Sequence, residues 1–255
     1  MPLRERDLSI ADLSGQFLRE FSSVDGRIMR SVRALLTRPG WLSAAHVAGR
    51  RRAFFGPLPL FLLANALFVG VQSLTHANIF SSPLESHLHN QDWSPLVRRL
   101  VDDRFGGRSE AVAAYAAKFD RAAMLNAKAL VILMVLAFTP LLAIVFRRAG
   151  RAFGAHLVFA LHLYAFILML MCVALVAAEA QLLAGGLGLA SPRVDVAISL
   201  ALLLSCGAYL YLAVGAFYGS RGGWRIARTI LLSASIGLIV VAYRFAIFLI
   251  SFATT

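Results

Sequence analysis

The sequence predicts an all-α, polytopic membrane helix bundle of about five transmembrane helices, preceded by short amphipathic helices on the cytoplasmic side. Three observations predict it. The 255 residues are 59% hydrophobic and 15% charged, where a soluble domain carries about 25% charged residues. The apolar residues gather into runs at 57–74, 127–146, 155–178, 194–218 and 227–252, each close to the roughly 20 residues that cross hydrocarbon. The net charge of +12 flanks those runs instead of forming one basic face with aromatic platforms, so it does not point to nucleic acid. Backbone groups in lipid must be satisfied within their own segment, so the runs are helices.

Two regions follow. Residues 1–56 form cytoplasmic or interfacial amphipathic helices. Residues 57–255 form a five-helix transmembrane domain with an extracytoplasmic helical insertion at 75–126. In the first region Ile10, Leu13, Phe17 and Phe21 recur at helical spacing and predict a helix over 9–21. Ser22 and Asp25 resemble a capping box for a second helix, with Val24, Ile28, Val32, Leu35 and Leu36 on one face and Arg27, Arg30 and Arg33 on the other. Arg38-Pro39 stops it. Pro39 can then take the first position of a third short helix ending at Gly49. Arg50, Arg51 and Arg52 follow, and Pro57 opens the first span. Such basic amphipathic helices suit a headgroup surface, but a small subdomain packing on itself shows the same pattern. Residues 1–50 contain no signal-peptide-like apolar core, so the first span is expected to direct insertion.

Among the spans, Pro140 is expected to kink the second, because it removes one helical hydrogen bond. In the insertion, Ser94-Pro95 starts a helix that Gly106-Gly107 ends. Ser109 starts another, running through Tyr115 and Phe119 into the second span. Cys172 and Cys206 lie in different spans at depths differing by about 9 Å. A disulfide needs Cα atoms within about 7 Å, so both are expected to be free thiols. Orientation follows from the arginines. Short basic loops without acids, holding Arg147, Arg148 and Arg151 and then Arg221, Arg225 and Arg228, mark the cytoplasm together with the N-terminal segment. The N-terminus is expected inside and the C-terminus outside, in a bacterial cytoplasmic membrane.

Arg38, Arg50, Arg51 and Arg52 are the candidate lipid-headgroup residues, each expected to contribute on the order of 1 kcal/mol of attraction to an anionic leaflet. Asn65, His156, His162, Glu179, Asp195 and Arg244 are the polar candidates within or at the ends of spans. Six residues separate His156 from His162, a rotation of about 240°, so they read as separate interhelical hydrogen-bonding groups. Arg244 lies deep in the fifth span and is expected to pair with Glu179, or failing that Asp195. Gly215-x-x-x-Gly219 and Ser233-x-x-x-Gly237 read as seams packing the fourth and fifth spans together. His87-Leu88-His89, with Glu85, His76 and Asp92 nearby, matches no strong ligand spacing and reads as polar loop. No metal, cofactor or catalytic constellation is expected.

Asp25-Gly26-Arg27, Leu35-Leu36-Thr37-Arg38-Pro39-Gly40, Gly49-Arg50-Arg51 and Pro57-Leu58 together resemble a bacterial membrane-protein domain of unknown function. His156-Leu157-Val158-Phe159-Ala160-Leu161-His162 and Phe217-Tyr218-Gly219 resemble its later signatures. Many members carry an N-terminal cysteine-rich, zinc-ribbon-like segment. This chain has no cysteine before Cys172, so that module and its metal are not implied. Five spans with these ends are also similar in topology alone to Yip1-type trafficking proteins, which is only an analogy.

The preferred class is a non-enzymatic integral membrane protein that organises lipid or protein partners. Its expected partners are membrane lipids with anionic headgroups, with a protein or a second copy of the chain as the further candidates. A water-accessible central cavity would instead favour a small transporter or channel. A lipid-sized lateral groove ending at a histidine would favour a lipid-modifying enzyme.

Overall fold

The computed structural model describes residues 26–75, 79–188 and 191–255, and among them it contains helices and no strand. The helix expected over 9–21 lies outside the described residues. Helix α1 (26–37) buries Ser31, Ala34 and Leu35 and exposes Arg30 and Arg33, so its apolar stripe faces the protein. The Ser31 hydroxyl accepts from the Phe55 backbone N–H at 2.8 Å, which ties α1 to the approach to the first span. Helix α2 (Trp41–Val47) starts later than expected. Pro39 lies in the turn, and Gly40 is the N-cap with φ 77°, a left-handed conformation that glycine adopts without penalty.

Helix α3 (Pro57–Leu74) has Pro57 in its first turn, where the missing N–H needs no partner. Its buried face, Leu60, Phe61, Ala64, Phe68 and Gln72, follows helical spacing and packs along α8 (Phe153–Leu183). Between them in sequence, α4 (Leu84–His89), α5 (Ser94–Phe105) and α6 (Ser109–Ala129) form a cap at one end of the bundle. Helix α5 ends at Gly106, φ 62°, as the Gly-Gly pair predicts.

The second span differs from expectation. Helix α6 is followed after two residues by α7 (Ile132–Val145), bent by 49°. The break falls at Leu130-Val131, and α7 continues through Pro140. Carbonyls freed at the break need new donors in an apolar setting. The Tyr243 hydroxyl donates to the Ala127 carbonyl at 2.7 Å, and Asn65 Nδ2 donates to the Lys128 carbonyl at 3.4 Å. Side chains from two neighbouring helices thus hold the bend where a lone proline would leave its carbonyl bare.

Helices α3, α8, α9 (Pro192–Tyr218) and α10 (Gly222–Thr254) are each long and apolar enough to cross a membrane, and the α6–α7 pair makes a fifth if counted as one broken span. Helix α8 is central, packing on α3, α7, α9 and α2. Helices α7, α8, α9 and α10 also close a ring, because α10 packs on both α9 and α7. The ring has two unlike ends. At the first, α2 lies against α8 and α9, and Phe146 at the end of α7 stacks on Tyr218 at the end of α9. At the second, α6 seals the end of α10, where the Tyr115 and Thr255 hydroxyls meet at 2.6 Å.

Candidate functional site: an arginine-lined end of the bundle

The first end collects the turns that read as basic loops. Phe146 leads into a single 3-10 turn, Arg147–Ala149, closed by Gly150 at φ 62°. Helix α9 ends at Gly219, φ 67°, three residues before α10 begins. These two sharp turns leave a cleft of about 630 Å³ between them, lined by Arg147, Arg148, Arg221, Arg228, Ser220 and Trp224 among others. Arg228 donates to the Ser220 hydroxyl at 3.2 Å, and its guanidinium lies 5.1 Å from the centre of the Phe146 ring. Trp224 is 75% exposed, so an indole stands at the mouth beside the guanidinium groups.

No carboxylate among the described residues belongs to this end. Those described lie in the cap or at the cap-side ends of α8 and α9. The arginines are held by carbonyls and rings instead. Arg151 donates to the Phe217 carbonyl and lies 4.2 Å from the centre of that residue's ring. Arg225 donates to the Tyr211 carbonyl at 2.8 Å and stacks 3.8 Å from the Tyr211 ring centre. Among the described residues neutral acceptors leave the positive charge uncompensated, and that charge is what attracts an anion.

The candidate headgroup residues stand at the same end. Arg38 is exposed, with its guanidinium 5.5 Å from the centre of the Trp41 ring. Arg50, Arg51 and Arg52 are exposed in the stretch between α2 and α3. Helix α2 does not lie free on a surface and does not pack only on α1. Leu42, Ser43 and Ala45 are buried, and a Cβ on Gly40 would come within 2.5 Å of the Ala213 carbonyl oxygen of α9. The missing side chain is what lets α2 approach α9 this closely.

The intramembrane histidines take separate partners on separate helices. His156 Nδ1 and the Tyr218 hydroxyl share a hydrogen bond of 2.8 Å. His162 Nδ1 and the Ser43 hydroxyl share one of 2.9 Å. His46 of α2 lies beside it, with ring centres 6.4 Å apart. Burial first and the charge of Arg51 second lower the His46 pKa. Ser43 and His46 escaped sequence reading, although their three-residue spacing on a short helix puts both on one face. Tyr218 was legible only as part of a family signature.

Arg244 differs from expectation. It donates to the Ser82 hydroxyl in the cap, and the one ion pair among the described residues joins His89 to Glu85 at 3.3 Å. Helix α10 packs along α6, α7 and α9, so the half-buried Glu179 of α8 is on a helix outside that set. Asp195 is exposed near the start of α9. The small-residue seams are met in part. Helices α9 and α10 pack together, and Gly215 of α9 makes room for the Arg225 guanidinium of α10, but no described atom approaches within 4 Å of a Cβ on Gly219 or Gly237.

In the cap, His87 is buried and accepts from the Trp93 indole N–H at 3.1 Å, while its ring lies 4.9 Å from that of Phe248. Among the described residues no cluster of three metal-ligating side chains occurs. Burial first and the nearby Arg244 charge second lower the His87 pKa to about 4. A histidine held neutral in the fold but free to protonate when unfolded makes stability fall as pH drops from about 6.5 towards 4. The expected result is a melting temperature in detergent that falls between pH 7 and pH 4.5, with a smaller fall in His87→Gln. An equal fall in both proteins would assign the pH dependence to other groups.

A family described as "Protein of unknown function (DUF3667)" matches residues 25–69. That stretch holds the first group of signature residues, α1, α2 and most of α3, including Gly40, Ser43 and Arg50–Arg52. Neither a curated protein nor a solved structure matches the chain.

Proposed function

We propose that this integral membrane protein is a non-enzymatic membrane organiser that holds anionic lipid headgroups at its arginine-lined end. The observation that supports it is the cleft between the α7–α8 and α9–α10 turns. Four arginines and an exposed indole surround about 630 Å³ there, with no carboxylate among that end's described residues. A phosphate offers the planar guanidinium groups a multidentate anionic acceptor, and an indole beside them suits the headgroup level. The arginine-rich end then faces the cytoplasm of a bacterial inner membrane, the N-terminus lies inside and the C-terminus outside. Arg38 and Arg50–Arg52 extend the same basic surface.

The transporter and lipid-modifying readings draw less support. The cavity inside the helix ring is apolar, and His156 and His162 are not among its lining residues. Both histidines bond to neighbouring helices instead.

Quenching of Trp224 tests the cleft. Trp41 and Trp93 are replaced by Phe, and the protein is reconstituted with brominated phosphatidylglycerol or brominated phosphatidylcholine at equal bromine content. The expected result is stronger quenching by the anionic lipid, weakened by high salt because headgroup attraction is screened. Equal quenching by the two lipids at low salt would count against a headgroup site.

A further inference from the structure

The ring of α7, α8, α9 and α10 encloses a second space, remote from the arginine cleft. It measures about 520 Å³, the size of a site for one small ligand. Its wall is formed by Met134, Ile167, Leu202, Ile236 and Val240 with other apolar residues, and by Tyr164, Cys206 and Ser233. A smaller chamber of about 160 Å³ adjoins it, since Met171, Ser199 and Leu202 line both. Gly237 borders the larger space, and nothing lies within 4 Å of where its Cβ would be. The Tyr164 hydroxyl is buried without a partner among the described residues.

Depth orders the wall. Tyr164, Cys206 and Ser233 stand about 16 to 18 Å along their helices from the arginine end. Val240 and Met171 stand about 27 Å from it, and Arg244 is one turn beyond Val240 on the same face of α10. Phe80 of the cap lines the space, and Ser82, two residues on, receives the Arg244 guanidinium. Arg244 Nε is buried with no partner among the described residues. Asp195 lines only the smaller chamber, and Asp120 accepts from the Leu84 backbone N–H in the cap.

We infer that this space is a binding site for a single-chain amphiphile with an acidic head, a fatty acid being the occupant to which the geometry commits. The chain lies between the ring helices with its end near Tyr164, and the carboxylate meets Arg244 beneath the cap. A predominantly apolar wall selects hydrocarbon, and in a bilayer hydrocarbon is the available solvent. The volume fits one chain. From Arg244 to Ser233 is eleven residues, about 16 Å of helix, which an extended chain of about twelve carbons spans. The unpaired Nε–H gives the head a charge-assisted hydrogen bond.

Photocrosslinking in lipid nanodiscs tests this with the full chain. Two dodecanoate probes carry a diazirine, one at the chain end and one beside the carboxylate. The chain-end probe is expected to label Tyr164, Cys206 or Ser233, and the head-side probe to label residues within a turn of Arg244. Gly237→Leu fills the space and is expected to reduce both sets of adducts about tenfold. Ser233→Leu serves the same purpose if Gly237→Leu does not purify. Arg244→Gln is expected to weaken head-side labelling by dodecanoate about tenfold while leaving labelling by the matching dodecanol probe unchanged. Adducts confined to exposed residues outside the wall such as Leu200 and Leu204, or unaffected by filling the space, would overturn the site. Equal loss of dodecanoate and dodecanol labelling in Arg244→Gln would overturn the acidic head.

Discussion

Tyr218→Ala is expected to destabilise the protein by about 3 kcal/mol, the low end of the range for removing a core aromatic ring, because the Tyr218 side chain is half-buried. The ring stacks on Phe146 with centres 3.7 Å apart and planes 2° apart. Its hydroxyl is the partner of His156 Nδ1. Truncation opens a void between the ends of α7 and α9 and leaves a buried imidazole nitrogen unpaired. Phe146 in turn carries the Arg228 guanidinium, so one wall of the arginine cleft loses its support. Tyr218→Phe keeps the stack and removes only the hydrogen bond, for a loss of about 1–2 kcal/mol. Equilibrium unfolding in detergent measures both. Equal losses in the two variants would mean that the stack contributes little.

Gly40→Ala is the second large effect, expected at about 3 kcal/mol. A side chain at φ 77° costs roughly 1–2 kcal/mol, and the Ala213 backbone stands where the methyl group must go, adding an overpacking cost of about 1–3 kcal/mol. The helix most affected is α2. Its release separates Ser43 from His162 and leaves a second imidazole nitrogen unpaired. Gly49 supplies the control. It has φ 87° and open space around it, so Gly49→Ala is expected to cost only the conformational term, about 1–2 kcal/mol. Matching losses at the two glycines would show that the contact between α2 and α9 is not tight.

What was legible in the sequence was whatever periodicity and length encode. Five apolar runs give the spans because hydrocarbon thickness fixes their length, and α3, α8, α9 and α10 follow them closely. Gly106 and Ser109 mark cap-helix ends through local backbone chemistry. The bend between α6 and α7 was not legible, because it carries no local signal of the kind Pro140 does. The actual break at Leu130-Val131 is held by Tyr243 and Asn65, which are remote in sequence. Arg244 was assigned a carboxylate because burial demands a partner. Which helices neighbour α10 is a property of the packing, and that packing offers the Ser82 hydroxyl. The docking of α2 was hidden for the same reason. Gly40 reads as a turn residue, and only the approach of Ala213 shows that its missing side chain also serves a contact.

The central claim is that the arginine-lined end holds anionic lipid. The most direct measurement is mass spectrometry of the lipids that accompany the protein when it is extracted from native membranes into polymer discs and washed with mild detergent. Wild-type protein is compared with a variant carrying Arg147→Gln, Arg148→Gln, Arg221→Gln and Arg228→Gln, and with one carrying Arg50→Gln, Arg51→Gln and Arg52→Gln. The account predicts anionic phospholipid enriched over its membrane share in wild type. The enrichment is lost in the fourfold cleft variant and reduced in the threefold variant, with zwitterionic lipid unchanged in all three. Retained enrichment in the fourfold variant, with the protein folded, would contradict it.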